Sequence, residues 1–296
     1  MQPGTIRTIA IILALGVGAA CPWASAASLL IPWTVAFMLF VVFLGTPLSA
    51  ARVRHIHPRL LLANVLIAAA AYGGGWLLGG RDVALAGFFA GIAPTAAAAP
   101  VVVNLLGGNV AFVVAAFLFS NIAIAALLAV ALPPLLGLTG GIEFLGIARS
   151  IGFVVFAPML LAQILRRLHP AAAGWPRRLT NASFGLWVLT LFLITAKASH
   201  YLRNETDGTA GVIAAIAGLA AAVCAASFGI GHWLGRPDFA REASQALGQK
   251  NTTFTIYLAL AHASPLVALG PTFYVLWHNL WNAWNLHRSP PRSRER

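Results

Sequence analysis

Apolar residues fall in long unbroken runs along this chain, separated by short clusters of glycine, proline and arginine. Runs of about 20 residues recur from one end to the other, each long enough to cross ~30 Å of hydrocarbon as a helix. The short apolar–polar alternation of barrel strands is missing. The pattern predicts ten helical spans, near residues 5–22, 27–45, 60–79, 83–106, 110–136, 147–165, 180–201, 210–234, 239–262 and 266–286. Helix breakers sit in the connectors: Pro22, Pro47, Pro58, Gly79-Gly80, Gly107-Gly108, Gly140-Gly141, Pro170, Pro176, Pro237 and Pro265.

Two of the spans carry breakers in their interior. Span four holds Pro94-Thr95-Ala96-Ala97-Ala98-Ala99-Pro100, and two prolines six apart cannot sit in one unbroken helix. Span nine, five spans later, holds the polar stretch Gly248-Gln249-Lys250-Asn251-Thr252-Thr253. A helix with a central polar pair follows each: Ser120-Asn121 in span five and His278-Asn279 in span ten. Thr95 and Asn121 are 26 residues apart, Asn251 and Asn279 are 28. Five spans is an odd number, so a second half that repeats the first enters the membrane inverted. Paired interrupted helices in matching positions of inverted halves are the sequence sign of a secondary transporter. A broken helix exposes backbone polar groups at membrane depth, which is tolerable only around a polar cavity or ligand. The expected fold class is therefore an all-α polytopic membrane protein. It has ten transmembrane helices as two inverted five-helix repeats, with broken helices four and nine crossed. The expected organisation is a first repeat over 1–137, a second over 138–288 and a basic cytoplasmic tail over 289–296.

Composition agrees with burial in lipid. Of 296 residues, 59% are hydrophobic and only 9% charged, against roughly 25% charged in a soluble domain. Mean hydropathy is +0.83. The net charge of +12 does not indicate nucleic acid, because the arginines lie in short loops and no basic patch interleaved with aromatics exists. With ten spans, fourteen of the nineteen Lys and Arg fall on the side of the N-terminus. Only Arg81, Arg149 and Arg203 fall on the other side, and Lys197 and Lys250 lie inside spans. Cationic loops resist translocation, so both termini are expected in the cytoplasm of a multi-pass protein of a bacterial inner membrane. A competing reading of residues 1–26 is a cleavable signal peptide, from Arg7, an apolar core and Ala24-Ser25-Ala26. Nine spans would then remain.

Candidate chemistry narrows the function. All seven acidic residues (Asp82, Glu143, Glu205, Asp207, Asp238, Glu242 and Glu295) lie in loops, at span ends or in the tail. That argues against a carboxylate proton relay at the membrane centre. No DDxxD, HExxH, GxSxG or Walker motif is present, and no enzyme or cofactor is expected. Cys21 and Cys224 read as small apolar packers, and the His55-x-His57 pair is a weak metal signal without further ligands. Lys250 is the anomaly: a mid-span lysine is costly unless it is paired, hydrated or uncharged. It either holds an anionic substrate or stands where a transported cation would sit. Lys197, nearer the end of span seven, reads as snorkelling.

These residues resemble motifs of the bile acid:sodium symporter family. Gly248-Gln249-Lys250-Asn251 resembles that family's Gly-x-Gln-Asn at the span nine crossover. Gly270-Pro271-Thr272-Phe273-Tyr274-Val275-Leu276-Trp277-His278-Asn279 resembles its proline-led Trp-His-Asn segment, and Gly107-Gly108-Asn109-Val110-Ala111 its Gly-Asp-Val-Ala turn. The resemblance implies a transport fold for organic anions. It departs at the sodium ligands: the family's glutamate and glutamine of span nine fall here on Ala246 and Lys250. Its Ser-Asn of span four falls at about Ala99 and Pro100, and its span five hydroxyls near Leu118 and Asn121.

The expectation is a secondary transporter of a small or amphipathic organic anion, rocking a panel against a core that contains spans four and nine. Thr95, Pro100, Asn121, Asn251, Thr252, His278 and Asn279 are the expected substrate-binding residues. Lys250, Gln249 and Ser120 are the expected ion-coupling or sodium-surrogate group, without resident metal. Coupling to protons through Lys250, an uncoupled facilitator and a non-transporting sensor stand as alternatives. Expected partners are the anion and membrane lipid, with no nucleic acid, for a monomer or homodimer.

Overall fold

The computed structural model describes residues 3–46, 52–138, 140–204 and 210–288. Pro47, Glu205, Asp207, Arg292, Arg294, Glu295, Arg296 and the predicted tail 289–296 lie outside the described residues. The described chain is almost wholly helical and contains no strand. Among the described residues, six stretches are long and apolar enough to cross a membrane: Pro22–Gly45, Ile56–Ile92, Val110–Leu135, Phe144–Leu168, Pro170–Asn204 and Ala210–Leu234.

Two compact units make up the molecule. One is built from the described parts of 1–49, 121–213 and 253–269, the other from those of 50–120, 214–252 and 270–296. Each unit thus draws segments from both halves of the chain.

In the first unit, α1 (Pro3–Ala20) packs on α8 (Trp175–Asn204). The approach is close: a Cβ on Gly18 would lie 2.6 Å from the Phe192 carbonyl oxygen. Ser199 Oγ and Arg203 donate to Ala19 O at 2.7 and 3.0 Å, satisfying a carbonyl at the end of α1. A 3₁₀ stretch, Pro22–Leu30, leads into α2 (Ile31–Gly45). The last carbonyls of α2 are met by α7 (Ala157–Leu168), where Arg166 donates to Leu44 O at 2.6 Å and Gln163 to Phe43 O at 3.2 Å. A basic residue on the negative end of a helix is favourable in charge as well as hydrogen bonding. Arg166→Ala is expected to lower stability by about 1 kcal/mol, read as a small fall in the thermal unfolding midpoint. A helix α6 (Gly141–Ile151) joins α7 through a π turn at 152–156.

The second unit begins with α3 (Ile56–Ile92), which is a hairpin of two arms. Gly79 and Gly80 depart from helical geometry, and Gly80 has φ 75°, a conformation that favours glycine. Added Cβ atoms on Gly75, Gly87 and Gly91 would meet Ala84 Cα at 2.7 Å, Ala71 O at 2.9 Å and Ala68 Cα at 2.7 Å. Partner numbers rise as the glycine numbers fall, so the arms run antiparallel with their backbones nearly touching. The rest of this unit comprises α4 (Ala99–Leu105), the first part of α5 (Val110–Leu135), most of α9 (Ala210–Leu234), α10 (Ala240–Gly248) and the body of α12 (Pro265–Arg288). Its core gathers residues of all six elements, among them Ile67, Val103, Phe112, Cys224, Leu247 and Tyr274. Cys224 packs there as a small apolar side chain, as its sequence context predicts.

Glu242 is drawn into this packing. It is buried in the first turn of α10 and accepts the Asn109 backbone N–H at 2.6 Å. Asn109 in turn accepts the Phe112 N–H at 3.1 Å, capping the start of α5. Arg241 donates to Leu106 O. The Gly107-Gly108-Asn109 turn is therefore clamped from the opposite half of the chain.

Candidate functional site

Two helix breaks meet inside the second unit. The first follows from Pro94, which has no N–H and disfavours helical geometry in the residue before it. Ala93 accordingly ends α3 at φ −52°, ψ 134°. Pro100 lies in the first turn of α4, where its missing N–H costs nothing. The second break follows Gly248: Gln249 is extended at φ −83°, ψ 94°, and α11 (Thr252–His262) begins three residues on. Residues 93–98 and 249–251 lie side by side, joined by a single antiparallel bridge between Thr95 and Lys250. Ala96 N donates to Gln249 O and Asn251 N to Pro94 O, both at 2.7 Å. Thr95 Oγ1 donates to Ala246 O at 2.6 Å, and Thr95 N to Ser120 Oγ at 3.0 Å. Peptide groups freed by the two breaks thus satisfy one another, as backbone away from water must.

Lys250 closes this crossover. Its side chain is 2% exposed. The ammonium donates to Gly91 O at 2.6 Å, to Ala93 O at 3.3 Å and to Asn64 Oδ1. An ammonium has three donors and no acceptor, so all three are placed. Asn64 must face it with oxygen, which turns its NH2 group toward Ile92 O and Ala93 O, at 3.1 and 3.3 Å. Gly91, Ile92 and Ala93 form the C-terminal end of α3, where carbonyls lack helical partners and the helix dipole is negative. A positive group and an amide from elsewhere in the fold complete that end.

A second polar row lies between α10 and α12. Gln245 donates to Asn282 Oδ1 at 3.0 Å, and Asn282 donates to Gln249 Oε1. Tyr274 OH donates to Gly248 O at 2.8 Å, and its ring centre lies 6.0 Å from Lys250 Nζ. His278 stands edge-on to Tyr274, with ring centres 5.5 Å apart. Gln245 Oε1 and His278 Nδ1 are buried and have no hydrogen-bond partner.

The structure sorts the predicted residues. Thr95, Ser120, Gln249, Lys250 and Asn251 are brought together at the crossover, through the bonds given above. His278 joins them through Tyr274. Thr252 is buried at the start of α11, and Pro100 serves as the first turn of α4. Asn279 donates to Val275 O of its own helix at 2.7 Å, so its side chain does not join the row. Asn121 is buried and belongs to the other unit. His57 is spent structurally: Nδ1 accepts from Arg54 N at 2.8 Å, leaving Nε2–H to donate to Phe112 O at 3.1 Å. A cavity of about 20 Å3, room for one water, lies beside the crossover against Asn64, Thr95 and Ser120.

A free sodium ion does not fit these residues. Ala246 offers only a methyl group and a carbonyl already bonded to Thr95. The ammonium of Lys250 occupies the neighbouring oxygens, so a second cation there would meet like charge at contact distance.

Three contributors were not singled out from sequence: Asn64, Gln245 and Asn282. Asn64 is an isolated amide in an apolar stretch, Asn282 stands midway between Asn279 and Asn285, and Gln245 lies one turn before Gln249. That spacing was the available signal. For Asn64, only the fold reveals its partner 186 residues away. No protein-family model matches this chain, and comparison with curated proteins returns no match.

Proposed function

We propose that this protein is a secondary transporter of a small or amphipathic organic anion, working by alternating access and without sodium coupling. The observation that supports this most is the back-to-back meeting of two broken helices, bonded through Thr95 and Lys250. Broken helices at membrane depth are a recurrent device for building a transport site from helix ends. On this reading the chain crosses the membrane ten times. The two arms of α3 each cross, α4 completes the second arm, α10 and α11 together make span nine, and the halves are inverted repeats. Fourteen basic residues on one side orient both termini to the cytoplasm of a bacterial inner membrane. The anion would be held near Thr95, Asn251, Thr252 and His278.

Saturation of the Lys250 ammonium by three oxygens also favours a second reading, a facilitator whose flux no ion gradient drives. One assay addresses both. Uptake of a panel of labelled organic anions into proteoliposomes is measured under a sodium gradient, a proton gradient and neither. Transport that proceeds equally without sodium is expected. Strict dependence on sodium would overturn the reading of Lys250, and anion binding without any flux would overturn transport itself.

A further inference from the structure

We infer that the oxygen cage around Lys250 is a monovalent-cation site that the chain fills with its own ammonium, so that shortening this side chain creates a protein that takes up a free alkali cation or a small primary ammonium. This deepens the proposed role of Lys250, but it concerns ligand binding and is tested without any flux measurement.

Three observations carry it. The first is the ligand set. Asn64 Oδ1, Gly91 O and Ala93 O converge on one point from a side chain and a helix end. Neutral hard oxygens at the negative end of a helix suit a hard cation. The cage contains no carboxylate, so it offers no formal charge to compensate a divalent ion.

The second is that the cage does not depend on the lysine stem. Asn64 is fixed by its own bonds to Ile92 O and Ala93 O. The neighbouring backbone is fixed by the bonds of Ala96 N to Gln249 O and Asn251 N to Pro94 O, and by Thr95 Oγ1 to Ala246 O. Removing the atoms beyond Cβ would leave the three oxygens pointing into the space vacated.

The third is that the ammonium is unavailable for other work. It is 2% exposed and each of its donors has an acceptor within the unit. A lysine that gripped an external anion would need a donor free. The side chain acts instead as a tethered cation that fills the cage itself.

The test uses the purified full chain carrying Lys250→Ala, in nanodiscs. Thermal unfolding is followed in choline chloride, then with lithium, sodium, potassium, magnesium or n-propylammonium at equal ionic strength. n-Propylammonium replaces the atoms that the substitution removes. The variant is expected to unfold below wild type in choline and to gain roughly 5 °C with n-propylammonium or an alkali cation. Magnesium should give no such gain, and wild type should unfold at one midpoint in all six salts. Lys250→Met keeps the stem in the cage, so it should be destabilised and not rescued. If Lys250→Ala does not fold in choline, the yield of monodisperse protein in each salt replaces the midpoint, and recovery with n-propylammonium or an alkali cation supports the inference. The inference is overturned if no monovalent cation improves on choline, if magnesium serves as well, or if wild type itself is stabilised by sodium.

Discussion

Gly270→Leu is expected to abolish folding, and Gly270→Ala to lower stability by about 3 kcal/mol, toward the upper end for overpacking. Gly270 lies on α12 where it crosses the second arm of α3. A Cβ there would sit 2.1 Å from Ala86 O, 2.6 Å from Ala86 C and 2.8 Å from Ala86 Cα. All three atoms are backbone, so no rotamer change relieves the clash. Either α12 moves outward or the α3 arm does. Both displacements disturb the crossover, because α12 supplies Tyr274 to Gly248 and α3 supplies the carbonyls to Lys250. Thermal unfolding in detergent would read a fall of roughly 10 °C for the alanine variant. An unchanged midpoint would show that α12 is not seated on Ala86 at all.

Asn64→Leu should be comparably damaging, at about 3 kcal/mol, although it preserves side-chain size. The leucine removes an acceptor from a buried ammonium, and hydrogen bonds to charged groups are worth about 1.5–3 kcal/mol each. It also strips the NH2 donors from Ile92 O and Ala93 O. Lys250→Met should cost a similar amount by leaving Asn64 Oδ1 and Gly91 O without their donor. The two residues act as one unit, so the losses should not add. In a double-mutant cycle the pair should be less destabilised than the sum of the singles by about 1–2 kcal/mol. Strict additivity would mean that Asn64 and Lys250 are not in contact.

Much of this arrangement was legible residue by residue. Pro94 and Pro100 had to interrupt span four, because a pyrrolidine ring removes the N–H that a helix interior needs. Gly248-Gln249-Lys250-Asn251 could not read as lipid-facing helix, and α10 does end at Gly248. Gly79-Gly80 was legible as a turn, and Gly80 adopts the positive φ that favours glycine. The helix-to-helix join before α6 was less so: the positive-φ residue there is Gly137, whereas the breaker signal pointed to Gly140-Gly141. Glycine composition marks a region that can turn, while packing decides which glycine does.

By itself the sequence determined that the chain is helical and apolar enough to cross a membrane, where it is interrupted, and that Lys250 is a cation in a polar break without an acidic residue near it in sequence. These follow from local physics: hydrocarbon excludes charge, and proline and glycine act on their own backbone. Only the tertiary structure decided what compensates Lys250. The answer is no acid, but an amide on α3 and two carbonyls at that helix's end, placed by a hairpin whose arms approach through Gly75, Gly87 and Gly91. Backbone carbonyls are identical at every residue. Which of them a fold leaves free, and which cation it turns toward them, is set by where helices end in space.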